Sequence, residues 1–304
     1  LAWTKTSDIE IKQSLLYHSS LHEPLPSISS SAQVTQHKPP RISWILQESG
    51  WDMGMKTQIL GDGVAAMMLA SHADELSNHE ISIVHPSGAP ITRDHMLGFW
   101  KMDGLEMAVE SSRTSWSKWA IITEANKSVM HSDRHAYHIM HKANYLHNCR
   151  EKAEQHGVKF IEQSKMMTSE AAQTFDSRPP RASKNAMLQH FLGQEVEVDK
   201  PVFDPSTAIL MDFRVDQSKG MHFIYLLPYS PTQALVESTL FTTKVLEREF
   251  YVDAINEHLR DHYGASITNI IHEEQGVIPM GTLSPHDETI PGIGANAGAI
   301  RPAS

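Results

Sequence analysis

A Gly61-x-Gly63-x-x-Ala66 turn follows a short strand-like run, and three apolar runs between Ala208 and Thr239 are separated by turn chemistry. Together they predict an α/β fold. The first observation points to a Rossmann-type dinucleotide-binding unit, the second to an antiparallel β-meander. At 304 residues the chain is long enough for one large or two ordinary domains with a real core.

Composition sets the outer limits. The hydrophobic fraction of 40% is that of an ordinary soluble protein, and the net charge of −10 argues against nucleic acid, whose phosphates need a basic surface. Cys149 is the one cysteine, which excludes a disulfide within the chain and favours a reducing compartment. No run of about 18 apolar residues could span a bilayer as a helix. The first residues, Leu1-Ala2-Trp3-Thr4-Lys5, show no signal-peptide pattern. They and the last, Arg301-Pro302-Ala303-Ser304, read as the ends of a fragment.

Residues 1–54 carry Ser-rich and Lys38-Pro39-Pro40 linker chemistry and are expected to be a loose tail, with a short helix around 9–17. Lys56–Leu60 then predicts a strand and Val64–Asp74 a helix. The glycines of the intervening turn serve a tight bend and close backbone approach to a pyrophosphate, and Ala66 lets helix pack on strand. The helix N-terminus offers its N–H groups to the phosphates. A second strand, Glu80–Val84, follows where the fingerprint wants an acid for the ribose; His85 and Pro86 stand there instead.

Trp116–Ile122 is strand-like and rich in aromatic weight. His131, His135, His138, His141 and His147 crowd one segment, but a strand or loop to Met140 and a helix from His141 to Gln155 would not put them on one face, so no metal site is expected. In the meander, alternation sets Ile209, Met211, Phe213 and Val215 on one face and Leu210, Asp212 and Arg214 on the other. The third meander strand, Ala234–Val236, ends at Glu237. A carboxylate among Leu235, Val236, Leu240 and Phe241 must find a partner or take a raised pKa. Leu246–Tyr263 has helical spacing, Ile267–Ile271 reads as a strand, and Ile293–Gly298 is a second Gly-rich turn.

Several of these runs resemble one family. They are Gln189-His190-Phe191-Leu192-Gly193, Met211-Asp212-Phe213, Phe223-Ile224-Tyr225-Leu226-Leu227-Pro228 and Leu235-Val236-Glu237-Ser238-Thr239. With Asp176-Ser177-Arg178-Pro179 and Glu274-Gln275-Gly276-Val277-Ile278-Pro279-Met280 they are similar to the lycopene cyclases, in family order from residue 176 to 302. The resemblance implies a Rossmann-type FAD-binding domain with an inserted antiparallel β-sheet substrate domain. The implied division is 55–180 for the first part of the FAD domain, 181–280 for the substrate domain and 281–304 for the return segment.

The implied activity is redox-neutral closure of the ψ-ends of lycopene, or of a related acyclic carotenoid, to β-rings. It depends on reduced FAD, with NAD(P)H as the reductant. Glu237 is the implied catalytic acid or base; Ser238 stands where many members carry a second acid. Gly61, Gly63, Ala66, His85, Gly294, Ala295 and Gly298 are the implied cofactor-binding residues. The implied location is cytoplasmic, at a membrane surface. Two rivals remain: a monooxygenase on the same fold, and a degenerate relative that binds flavin or carotenoid without turnover, which His85 and Ser238 favour.

Overall fold

The structure, a computed structural model, describes residues 55–87, 95–162 and 171–299, apart from Ser77, Ala172, Lys184, Thr282 and His286. The expected tail and its helix at 9–17 lie outside the described residues. The elements begin with β1 (Met55–Leu60), α1 (Val64–Ser71), β2 (His79–His85), β3 (Met96–Trp100) and α2 (Glu106–Glu110). Then come β4 (Ser112–Trp116), β5 (Lys118–Ile122), β6 (Lys127–His131), β7 (Tyr137–His141), α3 (Lys142–Gln155), β8 (Lys159–Glu162) and β9 (Gln173–Asp176). The remainder is β10 (Arg181–Ala182), β11 (Met187–Val198), β12 (Thr207–Asp212), β13 (Met221–Pro228), β14 (Gln233–Thr242), α4 (Arg248–Tyr263), β15 (Ile267–Met280) and β16 (Leu283–Ser284).

These elements fall into two compact units. Of the described residues, the first takes 55–87, 149–162, 171–180 and 285–299, and the second takes 95–148 and 181–284. The first unit holds a parallel sheet in the order β8-β2-β1-β9. Ile59, Ile81 and Ile83 of that sheet pack with Ala66 and Ala70 of α1 and with Ala153 and Val158. Parallel strands buried on both faces read as apolar runs, which is how β2 was legible, whereas β1 buries Thr57 and Gln58 beside Ile59.

The second unit is built on a seven-stranded sheet, β15-β11-β14-β13-β12-β5-β6, antiparallel except where β12 pairs with β5. Helix α4 covers one face, with Tyr251, Ile255 and Leu259 against Leu192, Ile224, Val236 and Leu240. Gly264, at φ 58°, ends that helix in the left-handed conformation. The other face carries Phe223, Tyr225 and Leu235 with Trp116, Tyr137 and Ile139. Tyr137 and Ile139 belong to β7, the centre of the three-stranded sheet β3-β7-β4.

Three expectations are corrected here. The first part of the nucleotide unit was expected to run unbroken over 55–180, but residues 95–148 belong with the meander, because β4 and β7 supply aromatic core to its sheet. The meander is apolar on both faces, and β12 does not keep strict alternation. Ile209 faces α4 while Leu210, Met211 and Phe213 all join the aromatic cluster, because register shifts at 209–212 break the period. Finally, β14 continues to Thr242, so Glu237 sits within a strand rather than at its end.

Candidate active site

Alternation along β14 decides what Glu237 faces. Ala234, Val236 and Leu240 point into the core under α4, whereas Leu235 and Phe241 belong to the aromatic cluster. Glu237 shares the parity of Leu235 and so faces the aromatic side. Ser238 points the other way, where its hydroxyl shares a 2.8 Å hydrogen bond with His222 Nε2. An acid at 238 would therefore face α4, not the site of Glu237.

Across the sheet, Glu237 lies in one row with Tyr225 on β13 and Gly193 on β11, and Gly193 is paired in turn with Glu274 on β15. A methyl group placed on Gly193 would lie 3.4 Å from both Glu237 Oε2 and Glu274 Cγ. The two glutamates thus flank the place that a methyl group at 193 would take. Glu274 is buried, and its Oε2 accepts a 2.7 Å hydrogen bond from the Met96 N–H, with His272 Nε2 at 3.8 Å. Glu273, one residue earlier, faces the opposite side and is bound by Arg248 and Gln194.

Glu195 is a third carboxyl on this face. Arg113 donates to both its oxygens, at 2.7 and 2.8 Å, and Gln233 donates at 2.6 Å. The Arg113 hydrogen bond holds Glu195 below the usual carboxylate range. Arg113 also lies 4.0 Å from the centre of the Tyr229 ring. Glu237 has no such cation: among the described residues its carboxyl accepts from the Thr239 hydroxyl at 2.7 Å. Glu237 keeps partial surface accessibility, yet burial of the carboxyl first, and Glu274 second, push its pKa up to about 8. A carboxyl in that range is mostly protonated at neutral pH and can deliver a proton.

Burial also raises the hydroxyls of Tyr137 and Tyr225, with Glu237 adding to both. Trp100 stands edge-on to Trp119 and Tyr137 at 4.6 and 5.0 Å, and Trp116 neighbours Tyr137 and Tyr229. The aromatic weight seen around Trp116 in the sequence thus belongs to the same packed face as Glu237. A cleft of about 540 Å³ opens elsewhere, on the α4 side, lined by residues including Arg214, His222, Phe250 and His258. Its lining does not include Glu237, so this cleft and the Glu237 carboxyl lie on opposite faces of the sheet.

In the first unit, Gly61 takes φ 95° and its N–H donates to the Val84 carbonyl at 2.9 Å, fixing the turn after β1. A methyl group at Gly63 would meet nothing within 4 Å, and no side chain caps α1. Open space in front of uncapped N–H groups is what a bound phosphate requires. Ala66, in the first turn of α1, is fully buried against the parallel sheet, so its part is helix packing. Gly294, Ala295 and Gly298 form a short 3-10 turn, and a methyl at Gly294 would stand 2.5 Å from Ala65 Cβ. The structure therefore brings both glycine-rich turns together at the start of α1.

His85 ends β2, and its Nδ1 lies 2.7 Å from Asp62 Oδ2. The acid absent from the strand end is present in the turn, a pairing that the sequence alone does not show. The histidines of the 131–147 segment disperse: His135 Nδ1 lies 3.0 Å from the Lys101 carbonyl, and His138 stacks on Phe99. Among the described residues no group of three or more His, Cys, Asp or Glu could hold a metal ion.

A parallel sheet with a glycine-rich turn before its first helix, in a chain that also carries a large mixed sheet, defines an α/β fold. Its fold is that of a flavin-dependent halogenase from Xanthomonas campestris, at TM-score 0.56 and 11% identity over 83% of this chain and 68% of that one. It is likewise that of a geranylgeranyl bacteriochlorophyll reductase-like protein from Thermoplasma acidophilum, at TM-score 0.54 and 12% identity over 80% and 72%. The chain belongs to the lycopene cyclase family, whose profile, described as lycopene cyclase protein, matches residues 57–304.

Among curated relatives, lycopene beta-cyclase of Paracoccus sp. (strain N81106 / MBIC 01143) is 34% identical over 116 residues, covering 36% of this chain and 29% of that protein. Lycopene beta-cyclase of Pantoea ananas is 37% identical over 98 residues, covering 32% and 25%. Chloroplastic neoxanthin synthase of Solanum tuberosum is 31% identical over 125 residues, covering 37% and 25%. The matched segments span less than a third of these relatives' own length.

Proposed function

We propose that this chain closes the ψ-ends of lycopene, or of a related acyclic carotenoid, to β-rings without net redox change, and that Glu237 carries the proton chemistry. The observation that supports this most directly is a carboxyl that has no cation beside it among the described residues, on an aromatic-lined face, with its pKa pushed up to about 8. A polyene offers no hydrogen-bonding handle, so its protonation needs a positioned acid. The Glu237 carboxyl delivers a proton to the terminal double bond; the ring closes on the cation so formed, and a ring proton leaves. The faces of Trp100, Trp119 and Tyr137 suit both an apolar chain and a cation.

FAD, reduced by NAD(P)H, is the cofactor we assign, since the open space at Gly63 and the return turn at Gly294–Gly298 fit its phosphates. Gly61 and Gly63, with the uncapped start of α1, would hold the pyrophosphate, and His85 with Asp62 would face the ribose. When bound, reduced flavin supplies negative charge that stabilises a cation.

The test is expression in lycopene-accumulating cells with pigments resolved by chromatography. The parent chain should produce cyclised pigment. Glu237→Gln keeps the shape and should lower the rate by about 10²–10⁴-fold with flavin content unchanged. Ring formation by Glu237→Gln near the parent rate would remove Glu237 from the mechanism.

A further inference from the structure

We propose that Glu237 and Glu274 are a carboxyl pair sharing one proton across Gly193, with Glu274 the ionised partner and Glu237 the proton carrier. The inference deepens the reading of Glu237 above and rests on it for the reaction, though not for the pair itself.

The geometry comes from sheet register. Gly193 is opposite Glu237 on one side and Glu274 on the other, so the two glutamates are two strands apart and on one face. Backbones two strands apart are separated by roughly 9–10 Å, and two glutamate side chains approach each other across an intervening residue without a side chain. That residue is a glycine, and the place its methyl group would take is bounded by both glutamates at 3.4 Å. Two carboxyls so placed do not ionise together easily, because each charge raises the cost of the other.

Which one keeps the proton follows from what faces each. Glu274 receives the Met96 N–H from β3 and lies near His272 on its own strand. Both favour an anion. Glu237 meets Thr239 on its own strand, Tyr225 from β13 and Tyr137 from β7. Arg113, a cation on this face, is engaged by Glu195 and lies against Tyr229. Nothing among these groups compensates a charge on Glu237, in keeping with its raised pKa.

The pair then has a defined part in ring closure. Glu237 gives its O–H proton to the substrate's terminal double bond, forming a C–H bond. The new C–C bond closes the ring, and the proton released from the ring carbon restores the protonation of the pair. No electrons are gained or lost. While the cation exists, both carboxyls are anionic, and their combined charge opposes it at close range. Glu274 acts through Glu237 and is a positioning residue.

The experiment uses purified full chain with its cofactor and lycopene in phosphatidylcholine vesicles, followed from pH 5 to pH 9. The parent rate should fall as Glu237 loses its proton. In Glu274→Gln that falling limb should move down by about one pH unit or more, and Glu274→Asp should restore part of the shift. Gly193→Ala inserts a methyl between the carboxyls at ordinary contact distance and should move the limb the same way. A limb unmoved in Glu274→Gln and in Gly193→Ala would overturn the pair. A second readout needs no activity: the infrared band of a protonated carboxyl that disappears in Glu237→Gln. In Glu274→Gln that band should titrate at lower pH than in the parent. If it does, and no ring product forms, the pair stands and the cyclase reading falls. If the band is absent from the parent near neutral pH, the pair falls whatever the activity.

Discussion

Glu237 shows how little a residue's chemistry depends on its own side chain. Glu195, Glu274 and Glu237 occupy one face of one sheet, yet Arg113 holds the first ionised, the Met96 N–H favours charge on the second, and burial keeps the third protonated. A stability consequence follows. The folded pKa of about 8 lies above the ordinary glutamate value of 4.5, so the folded state keeps a proton that the unfolded chain releases. The stabilisation is complete below the unfolded value and is lost as pH rises through the folded one. Relative to Glu237→Gln, which has no such group, the parent should lose stability between these values by up to about 1.4 kcal/mol per pH unit. Urea unfolding of both proteins across that range measures the difference, and a difference that does not change with pH would contradict the buried, uncompensated carboxyl. The family resemblance picked out Glu237 and also passed through Glu274, but only strand parity separates Glu274 from Glu273, and only pairing with β11 sets it beside Glu237.

At the scale of elements, the turn before α1 and the end of β2 act together. Gly63→Val fills the space in front of the helix and should abolish the flavin absorbance of the purified protein; equal flavin in both would sink the site. The contact between His85 and Asp62 also changes what a ribose-directed substitution should do. His85→Glu alone sets two carboxylates together, so tighter FAD binding is expected only when Asp62→Asn accompanies it, as flavin fluorescence titration would show. On the α4 side, Asp212 is fully buried and accepts from the Arg214 backbone N–H, Nε and Nη2, with His258 at 3.5 Å. Burial alone would raise its pKa; the Arg214 bonds and His258 outweigh it and hold the group below its usual value. Asp212→Asn leaves Arg214 short of its counter-charge and should cost about 3–5 kcal/mol, read by chemical unfolding, since breaking one side of a buried pair is expensive. Cyclisation per folded molecule should be unaffected, because Asp212 lies on the face away from Glu237.

For the whole molecule, the carotenoid reading demands a route from lipid to protein. Among the described residues no helix is long and apolar enough to cross a membrane, and the net charge of −10 gives anionic lipid no hold. Peripheral attachment through apolar surface is therefore expected. Flotation with neutral phosphatidylcholine vesicles should recover the protein with lipid, and raising salt should not release it. Protein that stays in solution while cyclising vesicle-borne lycopene would refute this attachment.

The sequence by itself determined the local pieces. Periodicity marked β1, β2, β13 and α4, turn glycines marked the bend before α1, and the resemblance marked Glu237, because these signals are carried by residues adjacent in the chain. Tertiary structure decided what those pieces meet. It moved residues 95–148 into the second unit, since an aromatic strand does not disclose which sheet it will cover. It ran β14 on to Thr242, placing Glu237 in mid-strand. It turned Ser238 away from Glu237, and it brought Glu274 to within one glycine of that residue from 37 positions along the chain. Strand pairing over such separations is fixed by the burial of both sheet faces together, which no local window contains.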